Sequence, residues 1–121
     1  MTGPARDGRG PVSGEAELSA YAERVVAFAA RPAPSTHSRE QRAGQLLADG
    51  CGLALRLEAR CARLERTIAE LASVADDLSV ARRLRTLLPQ LGAAQRQLTE
   101  IRALIAEVRA HASVRSAQTA I

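Results

Sequence analysis

Two hydrophobic repeats meet in residues 64–98, LERTIAELASVADDLSVARRLRTLLPQLGAAQRQL. Continued at its own spacing, the first repeat would land on Arg82 and Arg85, so the hydrophobic register is reset before the second repeat begins. Sustained spacings of three and four residues are typical of helices that pack as coiled coils. The first repeat comprises Leu47, Gly50, Ala54, Leu57, Cys61, Leu64, Ile68, Leu71, Ala75 and Leu78, and the second comprises Leu84, Leu87, Leu91, Ala94, Leu98, Ile101, Ile105, Val108 and Ala112.

The reset predicts that the chain turns back on itself and forms an antiparallel helical hairpin. We expect the turn near residues 76–79, because two aspartates and a serine there are good N-cap residues for the returning helix. Pro89 then lies inside that helix and should kink it. A turn at residues 84–88 is the alternative, since it would move Pro89 into the first helical turn, where proline is tolerated.

Folding at 76–79 also predicts which residues of the two arms lie opposite each other. Leu57 should meet Leu98, and Gly50 should meet Ile105. A small residue opposite a large one fills an interface without voids. Because each helix-interior glycine costs roughly 1 kcal/mol relative to alanine, the first arm is expected to bend or break around Gly50 and Gly52.

A shorter amphipathic helix is predicted at residues 15–31, before the hairpin. Its apolar residues follow one another at spacings of three, four and three, which places them on one helical face. Such a face either docks into the groove of a partner protein or forms the third helix of the chain's own bundle. The residues of this face, which we name as candidate partner-binding residues, are Leu18, Tyr21, Val25 and Phe28.

The remaining segments are predicted from their composition. Residues 1–14 are rich in glycine and proline and read as a disordered tail, while residues 32–37 form a proline-rich linker. Ser38, followed by Gln41, has the pattern of a capping box and opens the hairpin, which we assign to residues 38–115. Residues 116–121 are expected to fray.

Composition agrees with an all-α fold, a long coiled-coil-like antiparallel hairpin with a shorter N-terminal helix. Alanine supplies 25 of the 121 residues and leucine 15, whereas aromatic residues number two. Five apolar residues outside the repeats widen the stripe beyond a two-helix contact, which predicts a bundle of three or more helices. The extra surface comes from the N-terminal helix, a second copy or another protein. These five residues are Leu46, Leu53, Val74, Leu88 and Leu104.

No constellation of residues predicts catalysis, a cofactor or a metal site. Cys51 and Cys61 are ten residues apart, about 15 Å along one helix, and therefore cannot share a metal ion. His37 and His111 have no catalytic neighbour in the pattern. We therefore expect a protein that is not an enzyme, with no cofactor, no metal and no small-molecule substrate.

Positive charge is unevenly distributed, and all 17 basic residues are arginines against 13 acidic residues. No acidic residue lies between Leu78 and Thr99, and arginine side chains can hold phosphates through paired hydrogen bonds. The scarcity of aromatic side chains argues against recognition of single-stranded nucleic acid. The candidate anion or nucleic-acid contacts are Arg56, Arg60, Arg63, Arg82, Arg83 and Arg85.

These patterns favour one function and leave an alternative. We expect a non-enzymatic assembly or adaptor module that acts through protein–protein helix packing, either self-associating or within a larger complex. The alternative is a nucleic-acid-binding or regulatory protein that uses its arginine-rich helical face. No stretch approaches the roughly 20 apolar residues of a membrane span, and no secretory signal is evident, so a cytoplasmic location is expected.

Overall fold

The computed structural model describes residues 9–31, 35–74 and 78–120, and their regular secondary structure is entirely helical. The helices are α1 (Arg9–Ala30), α2 (Thr36–Ser73) and α3 (Leu78–Ala120). Helices α2 and α3 form the long antiparallel hairpin, and α1 packs against both of them. The predicted all-α fold is confirmed.

Helix α1 begins earlier than its sequence pattern indicated. It starts at Arg9 instead of Glu15, so residues 9–14 of the predicted tail are helical. Pro11 falls in the first turn, where its missing N–H group would have had no partner inside the helix. Residues 1–8, the rest of the predicted tail, lie outside the described residues.

Helix α2 is capped by Ser35, not by Ser38. Ser35 is extended, with φ −149° and ψ 162°, and its Oγ accepts a hydrogen bond of 3.1 Å from the backbone N–H of Ser38. The predicted capping box is therefore wrong, because Ser38 receives the cap that it was expected to provide. Thr36 and His37, assigned to the linker from sequence, belong to α2.

The chain reverses between Val74 and Leu78. Helix α2 ends where the backbone N–H of Val74 donates to the carbonyl oxygen of Leu71 at 3.3 Å, and α3 begins at Leu78. Residues 84–88, the alternative site for the turn, lie inside α3 together with Pro89. Residues 75–77 of the predicted turn region lie outside the described residues.

Helix α3 also continues further than expected. It extends to Ala120, so residues 116–120 of the predicted frayed end are helical. No glycine or proline follows Gly92 to stop the helix, and two alanines near the end favour its continuation.

The buried core lies where α1 packs along the hairpin. Leu46 and Leu53, which lie outside the 3.5-residue repeats, belong to this core, because the hairpin here contacts a third helix as well as pairing with itself. Ile101 and Val108 are completely buried. The core side chains are Leu18, Tyr21, Val25, Phe28, Ala43, Leu46, Leu53, Ala54, Leu57, Ile101, Ile105 and Val108.

Gly50 is the position where the three helices come closest. A methyl group built there would lie 2.8 Å from Cζ of Tyr21 in α1 and 2.9 Å from Cγ1 of Ile105 in α3. The predicted pairing of Gly50 with Ile105 is confirmed. The predicted break at Gly50 and Gly52 is wrong, because α2 continues through both residues. The glycine at position 50 provides space for Tyr21.

We predict that Gly50→Ala lowers the free energy of unfolding by about 1–3 kcal/mol, because the added methyl group overpacks the contact among the three helices. Chemical denaturation measures this change. Gly44→Ala is the matched control: a methyl group added at Gly44 would have no neighbouring atom within 4 Å, so it should stabilise the helix by about 0.5–1 kcal/mol. Equal effects at both positions would contradict this role of Gly50.

Candidate docking surface

The four residues predicted to bind a partner lie in the chain's own core. Leu18, Tyr21, Val25 and Phe28 are all buried, with Val25 only 1% exposed. Their stripe therefore forms the third helix of the bundle, which corrects their assignment as a docking face. Helices α2 and α3 already cover the apolar area that the stripe would have offered to a partner.

Tyr21 fixes α1 to the hairpin with a buried hydrogen bond. Its hydroxyl donates to the carbonyl oxygen of Leu46 at 2.7 Å. Nearby, the guanidinium of Arg24 lies 5.9 Å from the centre of the Tyr21 ring and forms a 2.9 Å ion pair with Asp49. Burial raises the pKa of the Tyr21 phenol; Arg24 partly offsets this rise, while Cys51 and Asp49 add to it.

Arg39 is a core contact that the sequence pattern did not predict. The side chain is buried, and its guanidinium lies 4.3 Å from the centre of the Phe28 ring, within the range of a cation–π interaction. The sequence feature that indicates this burial is the position of Arg39 on the apolar stripe of α2, four residues before Ala43 and seven before Leu46.

Burial along the hairpin stops abruptly toward the turn. Every described residue between positions 62 and 93 is half-buried or exposed, although the hydrophobic repeats continue through this region. Val74 is 60% exposed and Leu78 is 68% exposed. We name the apolar side chains of this region the tip face: Leu64, Ile68, Leu71 and Val74 from α2, with Leu78, Leu84, Leu87, Leu88 and Leu91 from α3.

The five apolar residues outside the repeats show why burial differs between the two ends of the hairpin. Leu46 and Leu53 are buried in the core with α1, and Leu104 is packed against it. Val74 and Leu88, which have the same kind of position nearer the turn, remain exposed. The wide apolar stripe predicts a third helix along the hairpin. Helix α1 provides it at one end, whereas no helix among the described residues buries the tip face.

The six candidate arginines fall into two groups. On α2, Arg56 lies 3.7 Å from the carboxylate of Glu17 in α1, while Arg60 is half-buried and Arg63 is exposed. On α3, the arginines at 82, 83 and 85 are all exposed and lie in the first two to three turns of the helix beside the tip face. The structure thus associates the arginines of α3 with the exposed apolar surface.

The cysteines and histidines are dispersed in the structure. Cys51 is exposed and Cys61 is buried, and burial is the main cause that raises the pKa of the Cys61 thiol. Within the described ranges, no group of three or more His, Cys, Asp and Glu side chains is arranged to hold a metal ion. None of the helices in the described part of the chain combines the length and apolar character needed to cross a membrane.

Comparison of the chain with models of protein families, with curated proteins and with solved structures finds no match.

We predict that the Tyr21 phenol ionises above its ordinary pKa of 10.0, because burial disfavours the phenolate. Tyr21 is the single tyrosine of the chain, so ultraviolet absorbance during a pH titration measures this one group. The stabilisation by the neutral phenol is complete below pH 10.0 and is lost as the pH rises through the higher folded-state pKa.

The Tyr21→Phe variant is the control for this titration. It should unfold about 0.5–1.5 kcal/mol more easily at neutral pH, because the hydrogen bond to Leu46 is lost. At alkaline pH, the variant should no longer lose stability through ionisation of the phenol. It should still lose stability through ionisation of the Cys61 thiol. Ionisation of Tyr21 at or below pH 10.0 would argue against its buried position.

Proposed function

We propose that this chain is a non-enzymatic assembly or adaptor module that works by helix packing, and that the tip face is the surface with which it docks. The observation that carries the proposal is the uneven cover of one continuous hairpin: α1 buries the apolar stripe at one end, and at the other end the stripe stays half-buried or exposed. In soluble proteins, large exposed apolar areas mark interaction sites.

The kind of side chain at the tip face favours a helical partner. Leu84, Leu87 and Leu91 follow one another at spacings of three and four and are only half-buried by the hairpin, so part of each remains available to a further helix. Full burial of one leucine contributes about 1.5–3 kcal/mol, so covering the exposed part of these side chains would contribute to the stability of a complex. Such a surface is suited to binding another protein. That the chain is not an enzyme stays a prediction.

Binding of nucleic acid is a second candidate, favoured by the exposed arginines of α3. Arg82, Arg83 and Arg85 lie in the second and third turns of α3, and no acidic residue lies on that helix before Glu100. Apolar side chains lie among these arginines, however, and Arg56 forms an ion pair with Glu17 of the same chain. This alternative requires binding to duplex DNA or RNA that weakens steeply as salt is added.

The proposed function predicts that a double variant, Leu78→Asp with Leu88→Asp, fails to form the native assembly. Both side chains are more than half exposed, so the isolated chain should retain its helix content by circular dichroism. Leu55→Asp is the matched control, because Leu55 is 64% exposed and lies on α2 outside the tip face. Affinity capture of the tagged full chain, followed by sedimentation of the captured assembly, compares the three proteins.

The wild type and the Leu55→Asp control should yield the same assembly, and the double variant should remain a monomer. A wild-type chain that sediments as a monomer and captures nothing beyond what the double variant captures would refute the proposed function.

A further inference from the structure

We infer that the partner of the tip face is an amphipathic helix from another protein, with acidic side chains bordering its apolar stripe. The inference rests on the proposed function, because it names the occupant of the same surface. It is carried by the charges around the tip face and by the way α1 covers the other end of the hairpin.

Helix α1 shows within the chain how a helix docks on this hairpin, with ion pairs of both polarities beside its apolar stripe, since Arg24 of α1 also pairs with Asp49 of α2. Its apolar stripe is buried on the hairpin, and the Glu17 carboxylate beside that stripe lies 3.7 Å from Nη2 of Arg56. Arg60 and Arg63 follow Arg56 at spacings of four and three, which continues this row of arginines along α2 toward the tip. A helix placed next along the hairpin would meet the same combination of apolar surface and arginine.

The border of the tip face on α3 carries positive charge. Each of three exposed arginines lies one helical turn from a leucine of the tip face, and no acidic residue lies on α3 before Glu100. An acidic side chain on the docked helix would therefore find an arginine beside each of these leucines. The neighbouring pairs are Leu78 with Arg82, Arg83 with Leu87, and Arg85 with Leu88.

A second copy of the chain fits this border less well. Residues 60–91 contain six arginines and four acidic residues, so two identical tips would bring together surfaces of the same net sign. The apolar stripe of α1 in a second copy is already buried in that copy's own core. Residues 1–8, MTGPARDG, contain one large apolar side chain and therefore do not supply an apolar stripe.

The experiment measures the affinity of the full chain for two labelled synthetic peptides by fluorescence anisotropy. Both peptides have about 18 residues, five helical turns, and the same stripe of leucines at spacings of three and four. One peptide has glutamates beside the stripe and the other has lysines. The acidic peptide should bind at least about tenfold more tightly, which corresponds to 1.4 kcal/mol.

Two variants test whether the arginines cause this preference. Arg83→Glu should weaken binding of the acidic peptide by roughly tenfold and reduce its salt dependence. Arg109→Glu reverses the charge of an exposed arginine near the far end of α3 and should bind like the wild type. Both substitutions are at exposed positions, and circular dichroism verifies that each variant is folded.

The remaining outcomes separate this inference from the proposed function. Equal affinity for both peptides, lost in Leu88→Asp, would overturn the acidic partner and support docking by the tip face. A dimer that Leu88→Asp abolishes, without peptide binding, would replace the partner helix with a second copy. Salt-sensitive binding of duplex DNA without peptide binding would overturn both proposals, as would tip variants that match the wild type in every assay.

Discussion

Apolar side chains on a long helical hairpin are fully removed from water only where a third helix lies against them. The arms of this hairpin contain 38 and 43 residues, and α1 contains 22. At 1.5 Å per residue, α1 is about 33 Å long and α2 about 57 Å. One helix of this length cannot cover the whole hairpin. The mismatch in length divides one continuous hydrophobic pattern into a core and an exposed surface.

The place where α1 lies on the hairpin depends on the contact between Tyr21 and Gly50. The missing side chain of Gly50 leaves room for the Tyr21 ring beside Ile105, and the Tyr21 hydroxyl reaches the carbonyl oxygen of Leu46. The ion pair between Arg24 and Asp49 lies next to this contact. A shift of α1 along the hairpin would move Tyr21 off the glycine and cause a steric clash. This contact therefore determines which part of the hairpin is buried and which part remains as the tip face.

Much of the fold could be predicted from sequence because it depends on periodicity. The reset between the repeats predicted the hairpin, and the register set by a turn at residues 76–79 predicted that Gly50 meets Ile105. The cap at Ser35 was missed because several serines and threonines there have similar propensities. The tip face could not be located from sequence, since both repeats have the same spacings in covered and uncovered regions. Where α1 ends along the hairpin is a three-dimensional property that no local pattern encodes.

Amide hydrogen exchange, resolved by segment in the isolated chain, distinguishes the part of the hairpin that α1 covers from the tip face. Backbone amides open more easily where few buried contacts hold a helix. We predict slow exchange in residues 43–61 and 94–108, which α1 helps to cover, and much faster exchange in residues 62–74 and 78–93. Uniform protection along the hairpin, or slower exchange at the tip than in the core, would contradict this prediction.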